Sequence, residues 1–277
     1  MKKIKLKKKW KIILIIFVVV FIIFSSLKIG TLGLKVREYK IVNENLSSFY
    51  GFKIVHFSDL LYGNGVDKKK LNKLVNMIND TKPDIVIFSG DLISNKTKIT
   101  NELIELLTNN LKKINSNYGK FYVSGDIDKN NKSFNTIMSN SDFIDIEDKY
   151  ENIYSRENKK IFITGLDINK SLSNDVIEKL NLDEINYKIL VSHYPDKVDE
   201  ILKYNFDLVL CGHSLNGQIK VPVIGKIYTP NNAKKYYDSY YKIDNTNIYI
   251  SNGIGTHKIN LRLFNTPSFN LYRLVDK

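Results

Sequence analysis

From residue 52 to residue 211 the chain is written as short apolar runs, each closed by a knot of small or polar residues. The runs at 52–57, 85–89, 121–124, 160–164, 189–192 and 208–211 have the length of buried strands. Between several of them lie helical stripes. Leu71, Leu74, Val75 and Ile78 recur at helical spacing, as do Ile104, Leu107 and Leu111. Val176, Ile177 and Leu180, then Val198, Ile201 and Leu202, form shorter stripes. Strand alternating with helix restricts the chain to a layered α/β domain. From Gly217 onward the pattern changes, and runs at 219–223, 226–228, 240–243, 248–251 and 269–274 read as strands with few helices between them. No internal repeat and no Pro/Ser-rich linker divides the body. The expectation is one domain, residues 35–277, of two packed sheets flanked by helices.

With 43% hydrophobic residues in 277, the chain has ample material for a core, which excludes a disordered chain. Its single Cys excludes a disulfide scaffold or a zinc ribbon. That residue, Cys211, ends an apolar run and reads as a small buried hydrophobe.

The net charge of +13 is concentrated at one end. Residues 1–28 hold eight Lys and no acid, leaving 34 basic against 29 acidic residues in the remainder. The basic excess is therefore an N-terminal patch, which argues against nucleic acid as a partner. Lys2, Lys3, Lys5, Lys7, Lys8, Lys9 and Lys11 precede an apolar run at 12–24, and Ser25, Ser26 and Leu27 extend it to 16 residues. A membrane span takes roughly 17–25 residues. Trp10 suits one interface, and Lys11 and Lys28 can extend their charges out of the boundary. This predicts a basic cytoplasmic flank at 1–11, a transmembrane anchor and short linker at 12–34, and a single-pass cell-membrane protein with its body on the extracellular side. A cleaved signal peptide is the competing reading. Ser25 and Ser26 are its only small residues, and bulky Phe24 and Leu27 flank them.

The polar knots stand where α/β sheets place ligands, just past the C-terminal ends of strands. In order they are Ser58-Asp59-Leu60-Leu61, Ser89-Gly90-Asp91, Ser124-Gly125-Asp126-Ile127-Asp128, Ser192-His193, and Gly212-His213-Ser214-Leu215-Asn216-Gly217-Gln218. A single such knot is ordinarily a turn. Five in order, with Pro222 and Asn252-Gly253-Ile254-Gly255-Thr256 after them, make the chain resemble the calcineurin-like metallophosphoesterases, and most closely their membrane-anchored bacterial members. The resemblance covers about residues 35–275. It implies a double β-sheet sandwich flanked by helices, with two divalent cations at the strand ends.

Carried over by position, the first cation would take Asp59, Asp91 and the residues at 61 and 215. The second would take Asp91 as a bridge, the residue at 126, His193 and His213. The family also has a His at 127 that serves the phosphoryl oxygens. This chain departs at four of these places: Leu61, Ile127 and Leu215 stand for His, and Asp126 stands for Asn. The second ion's set, Asp91, Asp126, His193 and His213, keeps a possible ligand everywhere, and two carboxylates with two imidazoles suit Zn, Mn or Fe. The expectation is one divalent transition metal, with a second metal unlikely. Asp59, Asp91 and Asp126 would then leave a site with one cation formally negative, which repels a phosphate by several kcal/mol. The favoured reading is a membrane-anchored family member with little or no ordinary phosphoesterase activity, acting by binding or scaffolding. The alternative is an active hydrolase using one metal with Asp59 as base. His56 and His257 receive no role in either reading.

Overall fold

The computed structural model describes residues 8–276 except 29, 32, 182–184 and 222–223, and the side chains at 18–19, 21–28 and 130 are also outside the description. The lysines before residue 8 and Pro222 fall outside it. The N-terminal apolar run forms helix α1 (Lys8–Lys28), with Trp10, residues 12–17 and Val20 exposed. Among the described residues no helix is long and apolar enough to cross a membrane. Much of the stretch that would complete a span lies in the positions whose side chains are not described.

Two six-stranded sheets make the body. The first contains β1 (Lys35–Val42), β2 (Lys53–Phe57), β3 (Ile85–Phe88), β4 (Lys120–Tyr122) and β5 (Phe143–Asp145). The second contains β6 (Tyr150–Tyr154), β7 (Lys160–Leu166), β8 (Tyr187–Ser192) and β9 (Leu208–Cys211). A small hairpin, β10 (Lys220–Val221) with β11 (Gly225–Lys226), stands apart. Then β12 (Tyr240–Ile243) and β13 (Thr246–Ile250) complete the second sheet, and β14 (Ser268–Val275) returns to the first. The strand orders are β1-β14-β2-β3-β4-β5 and β12-β13-β9-β8-β7-β6. β2 to β5 run parallel, and so do β7, β8, β9 and β13.

The period of two along each strand builds the layers. In β2, Ile54 faces the other sheet while Val55 and Phe57 face helices. Ile85, Ile87 and Phe121 meet Ile161, Ile189, Val191, Leu208 and Leu210 between the sheets. Outside the first sheet lie α2 (Lys68–Asp80), α3 (Asn101–Lys112) and α4 (Lys132–Asn140). The expected stripe of α2 is wholly buried, and Asp67 caps its start by accepting the Lys70 N–H. Outside the second sheet lie α5 (Asn174–Leu180) and the single turn α6 (Val198–Ile201). The result is the layered sandwich expected from the sequence.

Four elements were not predicted: β1, β5, β6 and α4. The three strands are at or near sheet margins and carry no apolar run, since β1 buries only Ile41 and β5 only Phe143. α4 is short and contributes Phe134, Ile137 and Met138 to the core. His56 lies inside β2 as expected. Its Nε2 is 2.8 Å from Ser89 Oγ, and burial pushes the imidazole down to about 3, so it is neutral at ordinary pH.

Because Leu210 is fully buried between the sheets, Leu210→Ala removes packing from both at once. The expected loss is about 2–5 kcal/mol, read as a lower urea midpoint with an unchanged slope.

Candidate metal centre

The loops that follow β2, β3, β4, β8 and β9 converge at one edge of the sandwich, and their backbones share a feature. Asp59 (φ 48°), Asp91 (65°), His213 (65°), Leu61 (46°) and Leu215 (48°) are all left-handed. Non-glycine residues hold this conformation only where surroundings enforce it, typically at functional sites. Gly90, also left-handed at 92°, could carry no side chain, since a Cβ would stand 2.4 Å from the Gly125 nitrogen and 2.7 Å from His193 Nδ1. Asp128 fixes two of the loops together. Its buried carboxylate accepts the N–H groups of Asp91 (2.6 Å), Gly125 (2.9 Å) and Leu92 (3.0 Å). Burial and the neighbouring Asp91 push Asp128 up to about 7.

Asp59, Asp91, His193 and His213 each offer an atom to a group whose members lie within 4.8 Å of one another, and all four residues are buried. Asp126 joins them from a more exposed position. His193 Nε2 stands 3.1 Å from His213 Nδ1, 3.2 Å from Asp126 Oδ1 and 3.5 Å from Asp91 Oδ2, and His213 Nδ1 is 3.4 Å from Asp126 Oδ1. Ligands at about 2.0–2.2 Å from one ion at the tetrahedral angle stand roughly 3.3–3.6 Å apart. These spacings fit such an ion.

The other ring nitrogens are already committed. His193 Nδ1 lies 2.6 Å from the Ser89 carbonyl oxygen, and His213 Nε2 lies 2.8 Å from that of Asn231. If each donates there, the inner nitrogens are left as acceptors, the arrangement that orients metal-binding imidazoles. Asp91 Oδ1 accepts the Ile127 N–H at 3.2 Å, while its Oδ2 is buried with no hydrogen-bond partner. A buried carboxylate oxygen left in that state is costly unless a cation meets it. The residues present therefore fit a divalent metal.

His257, assigned no role from sequence, belongs to this centre. Its Nε2 lies 3.6 Å from Asp59 Oδ1, and its ring centroid is 5.8 Å from that of His213. Asp59 Oδ2 accepts the Ser58 hydroxyl and the His213 N–H, the latter at 3.0 Å. Three of the four histidines thus meet at one edge. Arg262 was missed too. It is fully buried and donates to the carbonyls of Asn252, Gly253 and Gly255, curling that loop around its guanidinium. Neither residue has a signal of its own in the sequence, since His257 only follows the recognised stretch 252–256 and Arg262 lies in the irregular segment beyond it. The polar Gly-Thr-His stretch after Gly253 was the one available hint.

Charges inside the set shift its titrations. Burial opposes charge on His193, but Asp91 and the Asp126 contact raise it well above the ordinary value. Burial and His193 lower His213 to about 4. Burial would raise Asp126, yet His193 and His213 bring it down to about 2. Burial opposes charge on His257 as well, and Asp59 overrides it and raises the group. Burial lowers Arg262 to about 9, and the charge of Asp59 works against that drop. The charge balance drawn from sequence needs correcting, because it omitted Arg262 and His257. With one divalent ion, Arg262 brings Asp59, Asp91 and Asp126 to formal neutrality, and Asp128 beside Asp91 adds negative charge as it ionises near 7.

Leu61 and Leu215 are buried, each 1% exposed. The segment after β13 packs on them so closely that a Cβ at Gly253 would stand 2.1 Å from Leu215 Cδ2, and one at Gly255 2.6 Å from Leu61 Cβ.

The sequence profile described as calcineurin-like phosphoesterase matches residues 52–217. An uncharacterized metallophosphoesterase of Bacillus subtilis, YkuE, is 30% identical over 231 residues, covering 82% of this chain and 80% of its own. Another from Campylobacter jejuni, Cj0846, is 27% identical over 270 residues, covering 93% of this chain and 68% of its own. The phosphodiesterase YaeI of Escherichia coli is 31% identical over 88 residues, 32% of each chain. With the matched segment carrying the strand-end loops that build the centre, this chain belongs to the calcineurin-like phosphoesterase family.

Proposed function

We propose that the chain is a membrane-tethered phosphoester hydrolase working through a divalent transition metal on Asp91, Asp126, His193 and His213. The observation that carries this reading is the buried Asp91 Oδ2, without a hydrogen-bond partner and 3.5 Å from His193 Nε2. An ion there would supply Lewis acidity toward a phosphoryl oxygen. Asp59 Oδ1, also buried without a hydrogen-bond partner, is placed to take the proton of an attacking water. Arg262 behind Asp59 offsets part of the carboxylate charge that an anionic ester meets. The phosphodiesterase name of the Escherichia coli relative agrees with an ester substrate.

One observation favours the opposite reading, of a protein that keeps its metal and hydrolyses little. Ile127 offers only its backbone N–H, already given to Asp91, where the family has an imidazole for the phosphoryl oxygens. Groups of that kind supply roughly 10²–10⁴-fold each.

With Mn or Zn supplied, the full chain is expected to turn over an aryl phosphodiester, and Asp91→Ala or His213→Ala should each cost on the order of 10²–10⁴-fold. A wild-type protein that retains its ion but is inert would establish the second reading. In that case Leu61→His, Leu215→His, Ile127→His and Asp126→Asn together should bring turnover. The tether is tested separately. The full chain should sediment with membranes through a high-salt wash, with its body open to protease added outside the cell. Release of a fragment beginning near residue 27 would show a cleaved signal.

A further inference from the structure

We propose that the body carries a docking face of its own, made by the β10–β11 hairpin and the loop 257–264, which settles on an anionic lipid surface beside α1. Ile224 at the hairpin tip and Phe264 in the loop are 73% and 69% exposed, and Ile227 and Ile259 are each more than half exposed. Large apolar side chains gathered in water mark a contact with protein or membrane. The two segments form one surface. Ile219 pairs with Leu263, the Lys220 N–H donates to the Leu263 carbonyl at 3.0 Å, and the Ile227 N–H donates to the Ile219 carbonyl at 3.0 Å. Lys258 Nζ, from the loop, lies 4.8 Å from the centre of the Tyr228 ring, from the hairpin side.

Charge decides the occupant. Residues 217–237 and 253–267 contain no Asp or Glu. Lys220 and Lys235 pair with Asp238 and Asp199. Lys226, Lys234 and Lys258 lie instead over tyrosine rings, the first over Tyr237 and the other two over Tyr228. Apolar tips set among lysines and tyrosines suit the boundary of a bilayer, where the apolar groups enter the acyl region and the cations meet anionic headgroups. The position of the face agrees. The Lys35 N–H donates to the Pro267 carbonyl at 3.0 Å, and a Cβ at Gly33 would stand 2.9 Å from Thr266 Cγ2, so the chain leaving α1 joins the body just past Phe264. The tether of the proposed function supplies the nearby lipid, while the face stands on the body's own residues. It also flanks the metal centre, since Gln218, directly before Ile219, accepts the His257 N–H at 2.8 Å.

The test uses the full chain with Trp10→Phe, which removes its only tryptophan, and Phe264→Trp, which sets a fluorescent probe in the face. It is reconstituted by detergent removal into vesicles of phosphatidylcholine and phosphatidylglycerol. Emission from position 264 should shift to the blue and be quenched by lipids brominated along the acyl chain. The shift should shrink when phosphatidylglycerol is left out or salt is raised. As a control, Tyr50→Trp replaces Phe264→Trp and puts the probe at an exposed position ahead of β2, at the opposite end of that strand from the centre. Its emission should stay that of a tryptophan in water. A chain that floats with the vesicles while position 264 is unquenched, or is shifted equally without lipid by a second copy or another protein, overturns the inference and leaves the tether standing. Equal quenching on neutral vesicles overturns anionic lipid as the occupant. A chain that does not float with the vesicles overturns both the tether and the face.

Discussion

The Asp128 carboxylate holds the centre together. It gathers three backbone N–H groups from the loops after β3 and β4, at 2.6–3.0 Å, and so binds two neighbouring strand ends into one rigid edge. Asp91 can then sit at a left-handed backbone position with one oxygen on the Ile127 amide and the other facing the histidines. The cost is two carboxylates in close proximity out of water. The fold offsets it with donors on one side and imidazoles on the other, consistent with the rule that buried charge must be paired and hydrogen-bonded. Loops on the second sheet complete the arrangement, since His193 and His213 each brace against a backbone carbonyl on their outer nitrogen.

Much of this was legible in the chain. The parallel strands β2, β3, β8 and β9 are buried on both faces, so their sequences read as continuous apolar runs and mark their own ends. That marks Asp59, Asp91, Asp126, His193 and His213 as residues just past strand ends. The marginal strands β1, β5 and β6 were invisible because a strand buried on one side or for three residues carries no such run. His257 and Arg262 were invisible for a different reason. They sit in an irregular loop whose shape is set by hydrogen bonds to Gln218 and by the guanidinium itself, and such tertiary determinants leave no period in the sequence.

That omission had a physical consequence for the charge balance. Counting only the five recognisable knots gave three carboxylates against one ion, a site hostile to phosphate. The buried guanidinium behind Asp59 reduces that negative charge without contributing any atom to the ion. Leu61 and Leu215 are better understood in the same setting. They keep the left-handed backbone of the positions they occupy, and they serve as a dry floor for the loop that carries His257.

The pairing of β1 with β14 fixes a direction for the whole molecule. β1 runs parallel to β14, and β14 runs antiparallel to β2, so Lys35 enters the sandwich level with Ser268, at the edge where β2 ends. Gly33 lies against Thr266, and Lys70 bridges the carbonyls of Thr31 and Ile254. Thr31 and Gly33, just ahead of β1, therefore lie beside the loop that follows β13. Under the proposed tether, the surface holding α1 would lie on the side where the strand-end loops gather. A reactant held in that same surface would then have only to diffuse in two dimensions to reach the ligands.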